Sequence, residues 1–145
     1  MSEYSSGSIT IDASSDALFQ ILKDLSSYPT WSASIKSVEV SESDGQGNPS
    51  KATMKVEAGV LKDRVALEYD WSKAPQEVSF SLEEANLLTE MSGIFTLKAI
   101  DSDTTEVTYQ LKVGLSMPVP DIMRKKQEQA TIQQELTKLK SHAEG

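Results

Sequence analysis

The chemistry open to this chain is limited by one imidazole, His142, four phenols, 22 carboxylates and no cysteine. A Ser-His-Asp arrangement would need His142 to reach an interior site from near the end of the last predicted helix, where a cation serves better to compensate the helix dipole. The lack of cysteine excludes thiolate nucleophiles, disulfides and thiolate zinc sites. Gly45-Gln46-Gly47 sits among acidic turn residues and opens no helix, so it is no phosphate-binding loop. Glu83 with Glu84, at a strand end, and Asp101 with Asp103, in a turn, read as solvated charge and not as metal ligands. No metal site, cofactor or catalytic residue is assigned on these grounds. What remains are groups suited to holding a ligand. Tyr69 and Tyr109 can each donate a hydrogen bond to a carbonyl, and Gln129 and Gln133 can supply polar contacts.

These groups need a scaffold, and the hydrophobic periodicity outlines one. Ile9 and Ile11 share a face in a short strand ending at Asp12. A helix follows, with Ser14 as N-cap, Asp16 in the first turn and Leu18, Ile21, Leu22 and Leu25 at helical spacing. Its end is expected near Tyr28, because Pro29 disfavours helix at the residue before it. Asp24, at that end, fits local turn geometry.

From Val38 onward the period is two for about eighty residues by the alternation criterion. Val38 and Val40 share a face, and residues 43–48 form a turn cluster. Ala52, Met54, Val56 and Ala58 then oppose Lys51, Thr53, Lys55 and Glu57, with Gly59 as the expected break. Val65, Leu67, Tyr69 and Trp71 oppose Arg64, Glu68 and Asp70. Val78, Phe80 and Leu82 form the next apolar face, followed by Met91, Gly93, Phe95 and Leu97, and then by Val107, Tyr109, Leu111, Val113 and Leu115. Clean alternation joined by short polar turns predicts an antiparallel meander with one face solvated.

The dry face needs a cover. The segment after Pro118 predicts a helix with Pro120 in its first turn, running to about His142 and roughly 33 Å long. Ile132, Leu136 and Leu139 form its apolar stripe, flanked by Ile122, Lys125, Gln129 and Gln133. The two glutamines either face an internal space or lie at the solvated edge of the stripe. The small residues Ala52, Ala58 and Gly93 interrupt the large ones on the sheet, which suggests that one helix leaves part of the concave face unfilled.

At 145 residues, 38% hydrophobic and 25% charged, the chain predicts a single globular α+β domain spanning residues 1–145. A formal charge of −8 argues against nucleic acid as a partner. No stretch approaches the roughly 20 apolar residues of a membrane span, and the first residues lack a signal-peptide pattern, so a cytoplasmic location is the default expectation. Oligomeric state is not legible.

The segment Leu22-Lys23-Asp24-Leu25-Ser26-Ser27-Tyr28-Pro29-Thr30-Trp31, followed by Ile35-Lys36-Ser37-Val38-Glu39-Val40, resembles the signature of the polyketide cyclase/dehydrase and coenzyme Q-binding branch of the START-like (SRPBCC) superfamily. The element order, from Ile9 to the C-terminal helix, is similar as well. This resemblance implies a helix-grip fold: a curved antiparallel sheet of about seven strands wrapped around the long C-terminal helix, with short helices after the first strand. It also implies a cavity for a hydrophobic ligand between sheet and helix. The expected lining is Trp31, Met54, Tyr69, Trp71, Phe80, Met91, Phe95 and Tyr109, with Gln129 and Gln133 as polar contacts.

The superfamily carries several functions on one scaffold. The leading expectation is binding or carriage of a small lipophilic molecule, a lipid, quinone or polyketide, motivated by an inner face without charges. The alternatives are an aromatic polyketide cyclase/dehydratase, in which the cavity orients a reactive chain, and an interaction protein of the ribosome-associated toxin type. Whether the protein is an enzyme is left open.

Overall fold

The computed structural model describes residues 4–58, 61–116 and 118–145, so the expected break at Gly59 lies outside the described residues. Strand β1 (Ser5–Ile11) leads into helix α1 (Ser15–Lys23), a single 3-10 turn (Leu25–Ser27) and the short helix α2 (Tyr28–Trp31). Six strands follow: β2 (Ile35–Ser43), β3 (Pro49–Ala58), β4 (Leu61–Asp70), β5 (Glu77–Ala85), β6 (Leu88–Asp101) and β7 (Thr104–Leu115). Helix α3 (Asp121–Glu144) closes the chain. All pairings are antiparallel. The sheet order is β1-β7-β6-β5-β4-β3-β2, a meander to which β1 adds beside β7. This is the seven-stranded α+β helix-grip arrangement.

Local chemistry accounts for the elements. The Ser14 hydroxyl accepts from the Ala17 N–H at 3.1 Å and caps α1. Contrary to expectation, Pro29 does not mark the end of this helix. Helix α1 stops at Lys23, and Pro29 lies in the first turn of α2, where its missing N–H would have had no intrahelical partner. Pro120 likewise lies one residue outside α3, as its N-cap. In the β2–β3 turn, Asp44 accepts from the Gln46 and Asn48 N–H groups. Gly47 supplies the left-handed backbone there, with φ of 83°.

Alternation along β3 to β7 matches the expected faces: Met54, Val56, Val65, Leu67, Val78, Phe80, Phe95, Leu97, Val107, Tyr109 and Leu111 are all buried. Register shifts between β2 and β3, β4 and β5, and β6 and β7 locally bend these strand pairs.

Helix α3 runs alongside β1. Glu128 contacts Ser5, Ile132 and Gln133 lie over Gly7, Lys140 reaches the Thr10 carbonyl, and Glu144 accepts from the Asp12 N–H. Sixteen helical residues advance about 24 Å and seven strand residues about 23 Å, so the two elements stay in step. Gly7 allows the approach, since a Cβ there would lie 2.8 Å from Ile132 Cγ2. No helix among the described residues is long and apolar enough to cross a membrane.

Candidate functional site

Two buried carboxylates organise the interior, and neither belongs to the expected set. Glu128 and Glu135 are only 1% and 3% exposed, seven residues apart on α3 and in line with Ile132 and Leu139. The expectation of an inner face free of charge is therefore corrected. Burying a carboxylate is costly unless donors surround it, and here they do. Glu135 Oε1 accepts from the Ser32 hydroxyl (2.7 Å), the Ala33 N–H (3.1 Å), the Ser34 N–H (3.3 Å) and the Ser34 hydroxyl (3.0 Å). Its Oε2 accepts from the Ser32 hydroxyl as well. Glu128 accepts from the Ser5 hydroxyl through Oε1, and from the Val113 N–H and Arg124 Nη1 through Oε2. One carboxylate thus joins α3 to β1 and β7, at one edge of the sheet. The other joins it to the loop before β2, at the opposite edge.

Asp63, on β4, is a third inward carboxylate that alternation missed. It accepts from the N–H groups of Arg64, Asn86, Leu87 and Leu88, and so holds the β5–β6 turn. Burial pushes its pKa up, but these four backbone donors more than offset that, and the net shift is downward.

Between the N-terminal half of α3 and the sheet lies a cavity of about 410 Å³. Its apolar wall includes Val56, Leu88, Met91, Leu111, Val113 and Leu115, with Val119 and Met123 where the chain enters α3. The polar groups on its border are Ser34, Arg124, Gln127, Glu128 and Thr131. The loops around it are set by the same carboxylates: Ser34 by Glu135, Leu87 and Leu88 by Asp63.

Among the expected site residues, only Met91 lines this cavity. Gln129 and Gln133 are exposed. At 100° per residue they sit about 80° and 120° from the centre of the buried stripe, on the flank away from Arg124, Gln127 and Thr131. Gln133 lies over Gly7 instead. Ile122, expected beside the stripe, is 78% exposed.

Met54, Tyr69, Phe80, Phe95, Tyr109 and Trp31 are packed into the core. Phe95 stacks on Tyr109 with ring centroids 4.1 Å apart, and Phe80 lies between Tyr69 and Gly93. Gly93 creates no void: a Cβ there would be 2.3 Å from Phe80 Cζ, so the ring already occupies that space. Trp71, half-buried, stacks on Tyr69 and borders a separate open depression with Asp44, Glu68 and Asp70. Its indole N–H donates to the Pro49 carbonyl at 2.6 Å.

Trp31 packs between Tyr28 and the exposed His142 ring, and its indole N–H finds no acceptor among the described residues. The phenols of Tyr28, Tyr69 and Tyr109 are pushed well above the ordinary tyrosine pKa, first by burial and then by neighbouring charge that includes Glu135. They are neutral hydrogen-bond donors at any physiological pH. No group of three or more histidine or carboxylate residues that could hold a metal occurs among the described residues.

Solved structures share this architecture. A START superfamily protein from Mycobacterium smegmatis superposes with a TM-score of 0.93 at 22% identity, covering 99% of this chain and 98% of that one. The Zhui aromatase/cyclase from Streptomyces sp. R1128 gives 0.78 at 17% identity, covering 98% and 93%. A STAR-related lipid transfer protein from Xanthomonas axonopodis gives 0.73 at 17%, covering 97% and 85%. No curated protein matches the chain in sequence. At these identities the likeness establishes the fold alone. The sequence model for polyketide cyclase/dehydrase and lipid transport proteins matches residues 5–144, nearly the entire chain, and on that ground the protein belongs to this family.

Proposed function

We propose that the protein binds and carries a small lipophilic molecule in the cavity beside the N-terminal half of α3. The observation that supports this reading most directly is the space itself. About 410 Å³ lies within the range of small-molecule sites, bounded on the sheet side by Val56, Leu88, Met91, Leu111, Val113 and Leu115 and with polar groups confined mainly to the helix side. Such a wall favours ligands through apolar area removed from water, at about 25 cal/mol per Å². Exposed Met123 and Leu87 at the border of the cavity offer an apolar approach to it. Membership of a family that includes lipid transport proteins agrees with this assignment.

The test is titration of the detergent-free protein with N-phenylnaphthylamine, a neutral probe that fluoresces in apolar surroundings. Saturable binding is expected, with at least a ten-fold loss in Met91→Trp, whose larger indole would obstruct part of the cavity, equivalent to about 1.4 kcal/mol or more. Absence of saturable binding, or unchanged binding in Met91→Trp, would rule this site out.

A further inference from the structure

We infer that Arg124 is the headgroup anchor of this cavity and selects lipophilic monocarboxylates over their neutral and cationic counterparts. The inference rests on the cavity being the ligand site and adds which end of the ligand is recognised and by what.

Arg124 borders the cavity, and its side chain is only 14% exposed. Nη1 donates to Glu128 Oε2 at 2.9 Å. Glu128 already accepts from Ser5 and Val113, so it orients the guanidinium and has little left to offer a ligand. The other acid in reach among the described residues, Asp121, is 3.8 Å from Nη2, beyond hydrogen-bond distance, and 87% exposed. A pair so solvated contributes little.

A guanidinium carries five N–H donors in a planar fork. Among the described residues one of them is engaged, by Glu128. Glu128 cancels the net charge seen from afar but leaves the directed donors. A carboxylate accepts two of these in parallel, a methyl ester offers a single carbonyl, and an alkylammonium has no acceptor and is repelled. The Gln127 and Thr131 side chains, on the same flank of α3, add neutral contacts. The tail then lies against Leu88, Met91, Leu111, Val113 and Leu115.

The experiment is displacement of N-phenylnaphthylamine by dodecanoic acid, methyl dodecanoate and dodecylamine. It uses the wild type and the double variant Arg124→Gln/Glu128→Gln, in which the buried position 128 is not left as a carboxylate stripped of its guanidinium partner. In the wild type the acid is expected to compete about ten-fold better than the ester, the scale of one added charge-assisted hydrogen bond, and the amine to compete worst. In the double variant the acid should fall to the level of the ester while the ester is unchanged. Equal competition by acid and ester in the wild type overturns the role of Arg124 and leaves the cavity standing. So does a variant that loses both ligands equally, because that marks Arg124 as a support of the fold. Failure of the probe to bind removes the cavity as the site and this inference with it.

Discussion

Glu135 is the residue whose removal tests the architecture most sharply. Substitution by alanine deletes the acceptor for the Ser32 hydroxyl, the Ser34 hydroxyl and the Ala33 and Ser34 N–H groups. Ser32 is buried, so its stranded hydroxyl costs about 1.5–3 kcal/mol, while the half-buried amides recover water and cost about 0.5–1 kcal/mol each. The sum is about 2.5–5 kcal/mol. With a urea m-value of about 2 kcal/mol/M, the midpoint falls by roughly 2 M. Glu135→Gln keeps one oxygen acceptor in place and loses mainly the charge assistance, so a smaller loss of about 1–2 kcal/mol is expected. Equilibrium urea unfolding followed by tryptophan fluorescence reports this well, because Trp31 immediately precedes the tethered loop. The reasoning is refuted if Glu135→Ala lies within about 1 kcal/mol of the wild type, since buried donors would then be satisfied without the carboxylate.

Two further outcomes follow from the same interior. The phenols of Tyr28, Tyr69 and Tyr109 are raised in the folded state by burial and neighbouring charge, so the fold holds protons that the unfolded chain releases near pH 10. Their contribution is complete below that pH and is lost as pH rises toward the folded values, by up to about 4 kcal/mol per pH unit if all three act together. Tyrosinate absorbance should show these three appearing with unfolding, and independent titration near pH 10 in the folded protein would contradict their burial. Asp63→Ala removes the acceptor of four backbone N–H groups and should destabilise by about 2–4 kcal/mol. It should also speed amide exchange selectively at Leu87 and Leu88. Because the Asp63 pKa is lowered in the fold, its stabilisation is present above the unfolded carboxylate value near 3.9 and disappears as pH falls through the folded one.

Most of the scaffold was legible because it depends on local pattern. Alternation in β3 to β7 reports directly which side chains face the core, and Ser14 and Asp44 signal a cap and a turn through their own hydrogen bonds. The candidate site was less legible. Tyr69, Phe80, Phe95 and Tyr109 face inward as expected, but facing inward does not distinguish a ligand wall from packed core. Gly93 illustrates this: its missing side chain suggested space, and the Phe80 ring from the neighbouring strand fills it. Gln129 and Gln133 flank the apolar stripe of Ile132, Leu136 and Leu139, and both fall on its exposed side. The buried line runs through Glu128, Ile132, Glu135 and Leu139 in steps of four, three and four, and it was obscured because carboxylates are ordinarily placed outside.

By itself the amino-acid sequence determined the order of elements, the inward face of each strand and the existence of a covering helix, all of which follow from the period of apolar residues over a few neighbours. Only the tertiary structure decided where space remains and which charges are buried. Those properties depend on contacts between residues about 15 to 123 positions apart, such as Val113 with Glu128 and Ser5 with Glu128. A carboxylate can be buried only where donors from distant segments converge on it, and no local pattern records that convergence.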